Sequence, residues 1–159
     1  MGIVCAVNTE ECQMSTIEIR RATEADEQQW HLLWRGYNEF YQREVESRTT
    51  DRVWDALKGE TGEPFGYVAA HDGKVVGFAH YFYLRSTSDW GPRCYMQDLF
   101  ADPSIRGRGV GRALIEAVYA DADKHDAAQT YWLTTASNKM AQKLYDRVAS
   151  MTAFVKYRR

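Results

Sequence analysis

Residues 98–115 read DLFADPSIRGRGVGRALI, and the loop within them, IRGRGVG from Ile105 to Gly111, decides the fold. Upstream, CYMQDLFA from Cys94 to Ala101 is a nearly unbroken apolar run, the pattern of a central strand covered on both faces. Downstream, Val110, Ala113, Leu114, Ala117 and Val118 recur at i, i+3, i+4, i+7 and i+8, which predicts a helix ending near His125 with one apolar face. The loop therefore joins strand to helix, and its glycines stand at the helix's first turn. Backbone N–H groups there lack acceptors and the macrodipole is positive, so glycines let an anion approach several donors at once. Glycines without such a duty cost roughly 0.5–1 kcal/mol each. Gly107, Gly109 and Gly111 are thus predicted to form an anion cradle, with Arg106, Arg108 and Arg112 adding charge.

Neither common nucleotide loop fits this cradle. A P-loop needs Lys then Ser or Thr after its last glycine, where this chain has Arg112 and Ala113. A dinucleotide fingerprint needs G-x-G-x-x-G in an opening βαβ unit, whereas this loop reads G-x-G-x-G and comes late.

Outward from the loop the chain alternates between strand and helix patterns. TIEIRR begins the fold as a short strand, and Thr23 with Glu24, Asp26 and Glu27 starts a helix predicted to run from Glu24 to Arg43. A second helical pattern covers Thr50 to Lys58. FGYVAAH and VVGFAHYFYLR flank Asp72-Gly73, a strong hairpin signal. After the loop helix, TYWLTT is predicted as a strand, Asn138 to Val148 as a helix, and AFVKY as a closing strand. The order predicts an α/β domain with one mixed sheet and helices on both faces. The first 13 residues lack periodicity and signal-peptide character, and are expected to be a disordered extension ahead of a single domain at 14–159.

Composition agrees with one domain of 159 residues, 45% hydrophobic and 26% charged. No apolar run is long enough to cross a membrane. A cytoplasmic protein is expected, with neither nucleic acid nor membrane as partner. Cys5, Cys12 and Cys94 form no C-x-x-C pair, and His31, His71, His80 and His125 show no ligand spacing, so no metal is expected. The net charge of −2 hides an asymmetry: residues 1–102 carry 10 basic against 17 acidic side chains, and residues 103–159 carry 10 against 5. A basic back half facing an anion and an acidic front half facing a cation is one reading, and chance is the other.

These residues resemble the coenzyme A signature of the GCN5-related N-acetyltransferases, [Q/R]-x-x-G-x-[G/A], met by Arg106, Gly109 and Gly111. NKMAQKLYDRVA is similar to the family's later N-x-x-A-x-x-L-Y segment, so the resemblance spans about residues 17–159 and rests on two motifs in the right order. Within the superfamily the chain looks most like the small yeast histone and polyamine acetyltransferases and their bacterial relatives. The resemblance implies acetyl-CoA as co-substrate and an amine as acceptor. It implies that Leu99, Phe100 and Ala101 pair with the pantetheine arm, that the backbone of Arg106, Gly107, Arg108, Gly109, Val110, Gly111 and Arg112 holds the pyrophosphate, and that Asn138 touches the cofactor arm. Tyr145 matches the family's usual general acid. Where diamine acetyltransferases carry Glu-Asp, this chain has Gln97-Asp98, leaving Asp98 as base, substrate contact or structural residue.

An alkyl amine is neutral in only about one molecule in several thousand at pH 7, which costs roughly 4–5 kcal/mol on direct attack. The acceptor is therefore expected to need Asp98 or a water chain, with Gln97, Trp90 and Tyr37 as further acceptor contacts. A covalent route through Cys94 lacks an activating His/Asp set. Trp30 and Trp34, at i and i+4, are expected in the core. A non-catalytic CoA-binding module is the alternative reading, and pairing of closing strands predicts a homodimer.

Overall fold

The computed structural model describes residues 16–59 and 62–159; the expected N-terminal extension and the predicted domain start at residue 14 lie outside the described residues. Ile17–Arg20 (β1), Phe65–His71 (β2), Lys74–Leu84 (β3), Arg93–Ala101 (β4) and Gln129–Tyr131 (β5) form one sheet in chain order. Neighbours are antiparallel except β4 and β5, which run parallel. The helices are α1 (Glu27–Phe40), α2 (Ser47–Lys58), α3 (Val110–Lys124) and α4 (Lys139–Val148).

The two faces of the sheet carry two cores. Trp30, Trp34, Trp54 and Leu57 from α1 and α2 pack on Val68, Val75 and Phe78, as expected for the two tryptophans of α1. Leu114, Ile115 and Val118 from α3 pack on Ala69, Tyr81, Cys94 and Met96. Each fully buried large side chain contributes about 1.5–3 kcal/mol. The α3 face is also tied by a polar cluster. The buried Asp121 carboxylate accepts from Tyr81 Oη at 2.5 Å, Tyr83 Oη at 2.9 Å and Arg21 at 3.1 Å. Burial opposes its ionisation, but these donors together hold its pKa below the usual carboxylate value.

The hairpin forms as expected, with Asp72 at φ 50° and Gly73 at φ 75°, both left-handed as a tight primed turn demands. Four other expectations are corrected. The first helix does not run unbroken from Glu24 to Arg43: Glu24–Asp26 is a 3-10 turn, and α1 stops at Phe40. The second helix starts three residues earlier than predicted, at Ser47. The strand expected over residues 130–135 ends at Tyr131, because Trp132 turns away from β4 to stand edge-on to Tyr145, ring centroids 5.2 Å apart. The closing strand at 153–157 is absent: Phe154, Val155 and Tyr157 are 94%, 74% and 92% exposed. Alternating apolar residues become a strand only where a neighbour supplies the ladder, and the sheet ends at β5, which the tail does not join. The tail therefore offers no strand edge, and the sheet's outer strands are β1 and β5.

Two irregularities of β4 shape the site. Only Arg93, Cys94 and Tyr95 pair with β5, so from Met96 to Ala101 that side of β4 has no strand beside it among the described residues. Opposite β3, His80 pairs with Asp98 and Tyr81 with Met96, leaving Gln97 as an extra residue, a β-bulge. Because side chains alternate, one extra residue reverses the facing. Met96 enters the α3-side core, and Asp98 turns to the α1 side beside His80.

Candidate active site

The end of α1 sets one wall of the site. Gln42 adopts φ 52°, its N–H bonds Glu39 O at 3.0 Å, and the Arg43 N–H reaches back to Asn38 O at 2.9 Å. This is a Schellman closure with glutamine in the position glycine usually takes. It folds Arg43 back along the helix, where its guanidinium lies 4.9 Å from the Tyr37 ring centre and donates to Asn38 Oδ1 at 2.9 Å. Asn38 in turn donates to Trp34 O at 2.8 Å. Arg43 was not expected in the site; no helix pattern reveals that a chain turns back after its last turn.

Beneath Arg43 lies Asp98, only 4% exposed. Its Oδ2 stands 3.2 Å from His80 Nδ1, and among the described residues its buried Oδ1 has no hydrogen-bond partner. The nearest cation to Oδ1 is Arg43, at 3.8 Å, an ion-pair distance rather than a hydrogen bond. Tyr37 is also buried here, and burial followed by the Asp98 charge pushes its phenol pKa well above the ordinary value. A place for His80 beside Asp98 has no signal in the sequence, because their meeting depends on the bulge at Gln97.

Beside this pair opens a groove lined by Tyr37 and Tyr41 of α1, Met96, Gln97 and Leu99 of β4, Trp132, Leu133 and Tyr145. The structure thus brings together Tyr37, Gln97, Leu99 and Tyr145 of the predicted set. The Tyr145 phenol is pushed up to about 12, by burial first and then by Tyr41, so it keeps its proton across the physiological range. Phe100 packs against Tyr37 and Phe78, and Ala101 lies under α3. Asn138 caps α4, its Oδ1 accepting from the Ala141 N–H at 3.3 Å. Neither Trp90 nor Asp98 is in the groove lining: Trp90 is 104% exposed in the loop before β4, and Asp98 is buried next to the lining residue Gln97. Cys94 is fully buried, and burial pushes its thiol up to about 11, which suits a core residue and not a nucleophile.

The glycine loop sits at the far end of β4. Gly107 and Gly109 adopt φ 80° and 81°, a region that disfavours side chains, and nothing lies within 4 Å of a Cβ built on either. Gly109 caps α3, whose first internal bond runs from the Ala113 N–H to Gly109 O at 2.9 Å. The N–H groups of Val110, Gly111 and Arg112 precede that bond and have no acceptor within the helix. Gly111 has a packing reason of its own, since a Cβ there would stand 3.1 Å from Leu144. Among the arginines, Arg108 bonds His71 at 3.2 Å and Arg112 pairs with Glu116 at 2.7 Å, while Arg106 is exposed. An open turn at a helix N-terminus next to an unpaired strand edge fits a long molecule with an anionic end and an amide-bearing arm.

A strand that pairs with its parallel neighbour over only three residues, with a glycine turn feeding a helix, is the arrangement that the resemblance to the N-acetyltransferases implies. The profile described as the Acetyltransferase (GNAT) family matches residues 27–149. The chain is similar to the D-amino-acid N-acetyltransferase HPA3 of Saccharomyces cerevisiae, 35% identical over 156 residues that cover 90% of each chain. It also resembles an uncharacterized N-acetyltransferase, YhfO, of Bacillus subtilis, at 26% identity over 89% of this chain and 95% of that one. Among solved structures, the aminoglycoside N-acetyltransferase AAC(6')-Iy in complex with CoA shares the fold with a TM-score of 0.75 at 21% identity, over 91% of this chain and 95% of that one. The protein therefore belongs to the GNAT acetyltransferase family, an acyl-CoA-dependent N-acetyltransferase, which sets aside the non-catalytic alternative.

Proposed function

We propose that the protein acetylates a primary amine that it binds as a cation at Asp98, by direct attack on acetyl-CoA in a ternary complex. The observation that carries this reading is the unpartnered, buried Asp98 Oδ1 next to the groove that Tyr145 lines. A buried carboxylate oxygen without a donor is costly, on the order of 1–3 kcal/mol, and an ammonium group removes that cost. The open edge of β4 over Leu99 to Ala101 suits the pantetheine amides, and the turn from Arg106 to Arg112 suits the pyrophosphate, with Asn138 available to the arm. Bound there, acetyl-CoA supplies the thioester carbonyl that the amine attacks.

The proton balance follows from the acceptor's charge. An ammonium must lose one proton before its nitrogen can attack, and Asp98 or water beside it takes that proton. A second proton leaves as the N–C bond forms and the C–S bond breaks, and it ends on the sulfur. Tyr145 donates a hydrogen bond to that sulfur as its charge grows.

Arg43 favours a more specific acceptor. A guanidinium and a carboxylate held 3.8 Å apart, behind the Tyr37 and Gln97 that line the groove, would offer opposite charges to one small molecule, as an α-amino acid requires. The similarity to a D-amino-acid N-acetyltransferase supports the same choice. Polyamines, which the acidic front half suggested, carry no carboxylate for Arg43 to bind, and a lysine side chain in a basic peptide holds its amine far from the peptide's carboxylate.

CoA thiol release across polyamines, basic peptides, aminoglycosides and amino acids tests both readings. Amino acids are expected to give the highest kcat/KM. Arg43→Ala should raise their KM by about 10- to 100-fold, the loss of one charge-assisted contact, without lowering kcat/KM for a polyamine. Equal losses on both acceptors would discard the carboxylate role and leave the amine reading standing.

The cofactor end has its own test. Gly109→Val places a branched side chain at φ 81° in the space proposed for the pyrophosphate. A variant with unchanged circular dichroism should bind acetyl-CoA about tenfold more weakly or worse by calorimetry, since its helix terminus no longer admits the phosphates. Unaltered affinity would remove this turn from the binding site.

A further inference from the structure

Behind Asp98 the α1-side core contains a polar chain that packing alone does not require. Trp30 and His80 are 0% and 1% exposed, and His80 stacks on the Phe78 ring at 4.5 Å between centroids. The Trp30 indole Nε1 lies 3.2 Å from His80 Nε2, and His80 Nδ1 lies 3.2 Å from Asp98 Oδ2. An indole N–H can only donate. His80 Nε2 must therefore present its lone pair to Trp30, which puts the ring hydrogen on Nδ1, where it points at Asp98. A hydrogen on Nε2 instead would set two donors face to face and two lone-pair bearers against each other across Nδ1 and Oδ2.

We propose that His80 is a positioning residue of the transfer reaction: Trp30 holds it as the Nδ1–H tautomer, and its single donated bond ties Asp98 Oδ2 so that Oδ1 faces the acceptor amine. The inference rests on the acceptor reading of Asp98 given above. Its chemistry is economical. A neutral imidazole supplies a directional bond without cancelling the carboxylate charge that an ammonium needs, whereas a second cation behind Asp98 would cancel it. The other groups that bear on Asp98 come from elsewhere: the Arg43 guanidinium, from the turn after α1, stands 3.8 Å from Oδ1, and the phenols of Tyr37 on α1 and Tyr95 on β4 both feel the Asp98 charge. His80, from β3, is the partner of Oδ2. The bulge at Gln97 is what brings Asp98 to His80's side of the sheet, so strand irregularity, tautomer and carboxylate orientation form one device.

The test separates this role from simple packing and from the acceptor reading itself. Nitrogen-15 NMR of the wild-type imidazoles, with His80 assigned by His80→Asn, should show the Nδ1–H tautomer; an Nε2–H signature overturns the proposal whatever the enzyme's substrate. Trp30→Phe, which removes the indole donor along with part of the ring volume, should shift His80 toward a mixture of tautomers in a variant that folds. His80→Leu should lower kcat/KM for the amine by about 10- to 100-fold, the range typical of an outer partner that orients a functional group. The acetyl-CoA dissociation constant should stay within about twofold, since His80 is remote from the glycine turn. His80→Asn, whose amide can donate from near the Nδ1 position, should recover most of the loss. A folded His80→Leu protein with wild-type kcat/KM overturns the positioning role, and so does a loss that His80→Asn fails to recover although that variant folds. If no amine in the panel is acetylated, the acceptor reading fails, and the tautomer signature still decides the Trp30 lock.

Discussion

Asp98→Asn is expected to lower kcat/KM for the amine by about 10²- to 10⁴-fold, the range for losing a positioned proton acceptor, with acetyl-CoA affinity nearly unchanged. The substitution keeps the shape and removes the charge, so the fold should survive. The effect has two parts. The amine loses the group that takes its first proton, and the encounter loses an attractive charge. The second part reads out through salt: wild-type kcat/KM for a polyamine should fall as ionic strength shortens the screening length from about 30 Å at 0.01 M to about 10 Å at 0.1 M. Most of that slope should vanish in the variant. A zwitterionic amino acid, carrying no net charge, should show little slope in either protein. Wild-type kcat/KM in Asp98→Asn would assign the carboxylate a purely structural duty.

Tyr145→Phe should lower kcat by about 10²- to 10³-fold, the cost of one lost hydrogen-bond donor to developing charge, with the acetyl-CoA dissociation constant little changed. The ring remains to pack on Trp132, and only the hydroxyl is lost. Its pKa near 12 defines what the hydroxyl can do. A CoA-like thiol has a pKa of about 8.5, so complete transfer from the phenol to the thiolate is uphill by roughly 5 kcal/mol. The hydrogen bond, not full ionisation of Tyr145, is therefore what stabilises the leaving sulfur. It follows that loss of the Tyr145 proton contributes no alkaline fall in kcat until pH approaches 12; below that value the group stays protonated. A fall in wild-type kcat between pH 8 and 10 that disappears in Tyr145→Phe would contradict this assignment, as would equal activity of the two proteins.

Apolar periodicity placed α3 within a residue of its end, and the Asp72-Gly73 pair placed the hairpin, because both signals arise from interactions between neighbours in sequence. The glycine turn was legible for the same reason: Gly107 and Gly109 answer to a backbone conformation local to the loop. Capping residues were read correctly at Thr23, yet the helix length was not, since the chain reverses at Gln42 against a local preference for glycine there. The closing strand was misread because AFVKY has strand chemistry but no neighbouring ladder.

Taken alone, the sequence determined the sheet-and-helix order, the cradle at the mouth of α3 and the family motifs built on Arg106, Gly109, Gly111, Asn138 and Tyr145. These are consequences of short-range sterics, helix periodicity and spacing, all written into adjacent residues. Tertiary structure decided the rest. One extra residue at Gln97 turned Asp98 to the α1 side, joining it to His80 and Trp30, which are 18 and 68 positions away in the chain. The reversal after α1 carried Arg43 over Tyr37, and the divergence of Trp132 from β4 opened the groove beside Tyr145. Each depends on how one element's register and end meet another's, and a contact between distant residues has no period by which a single sequence could announce it.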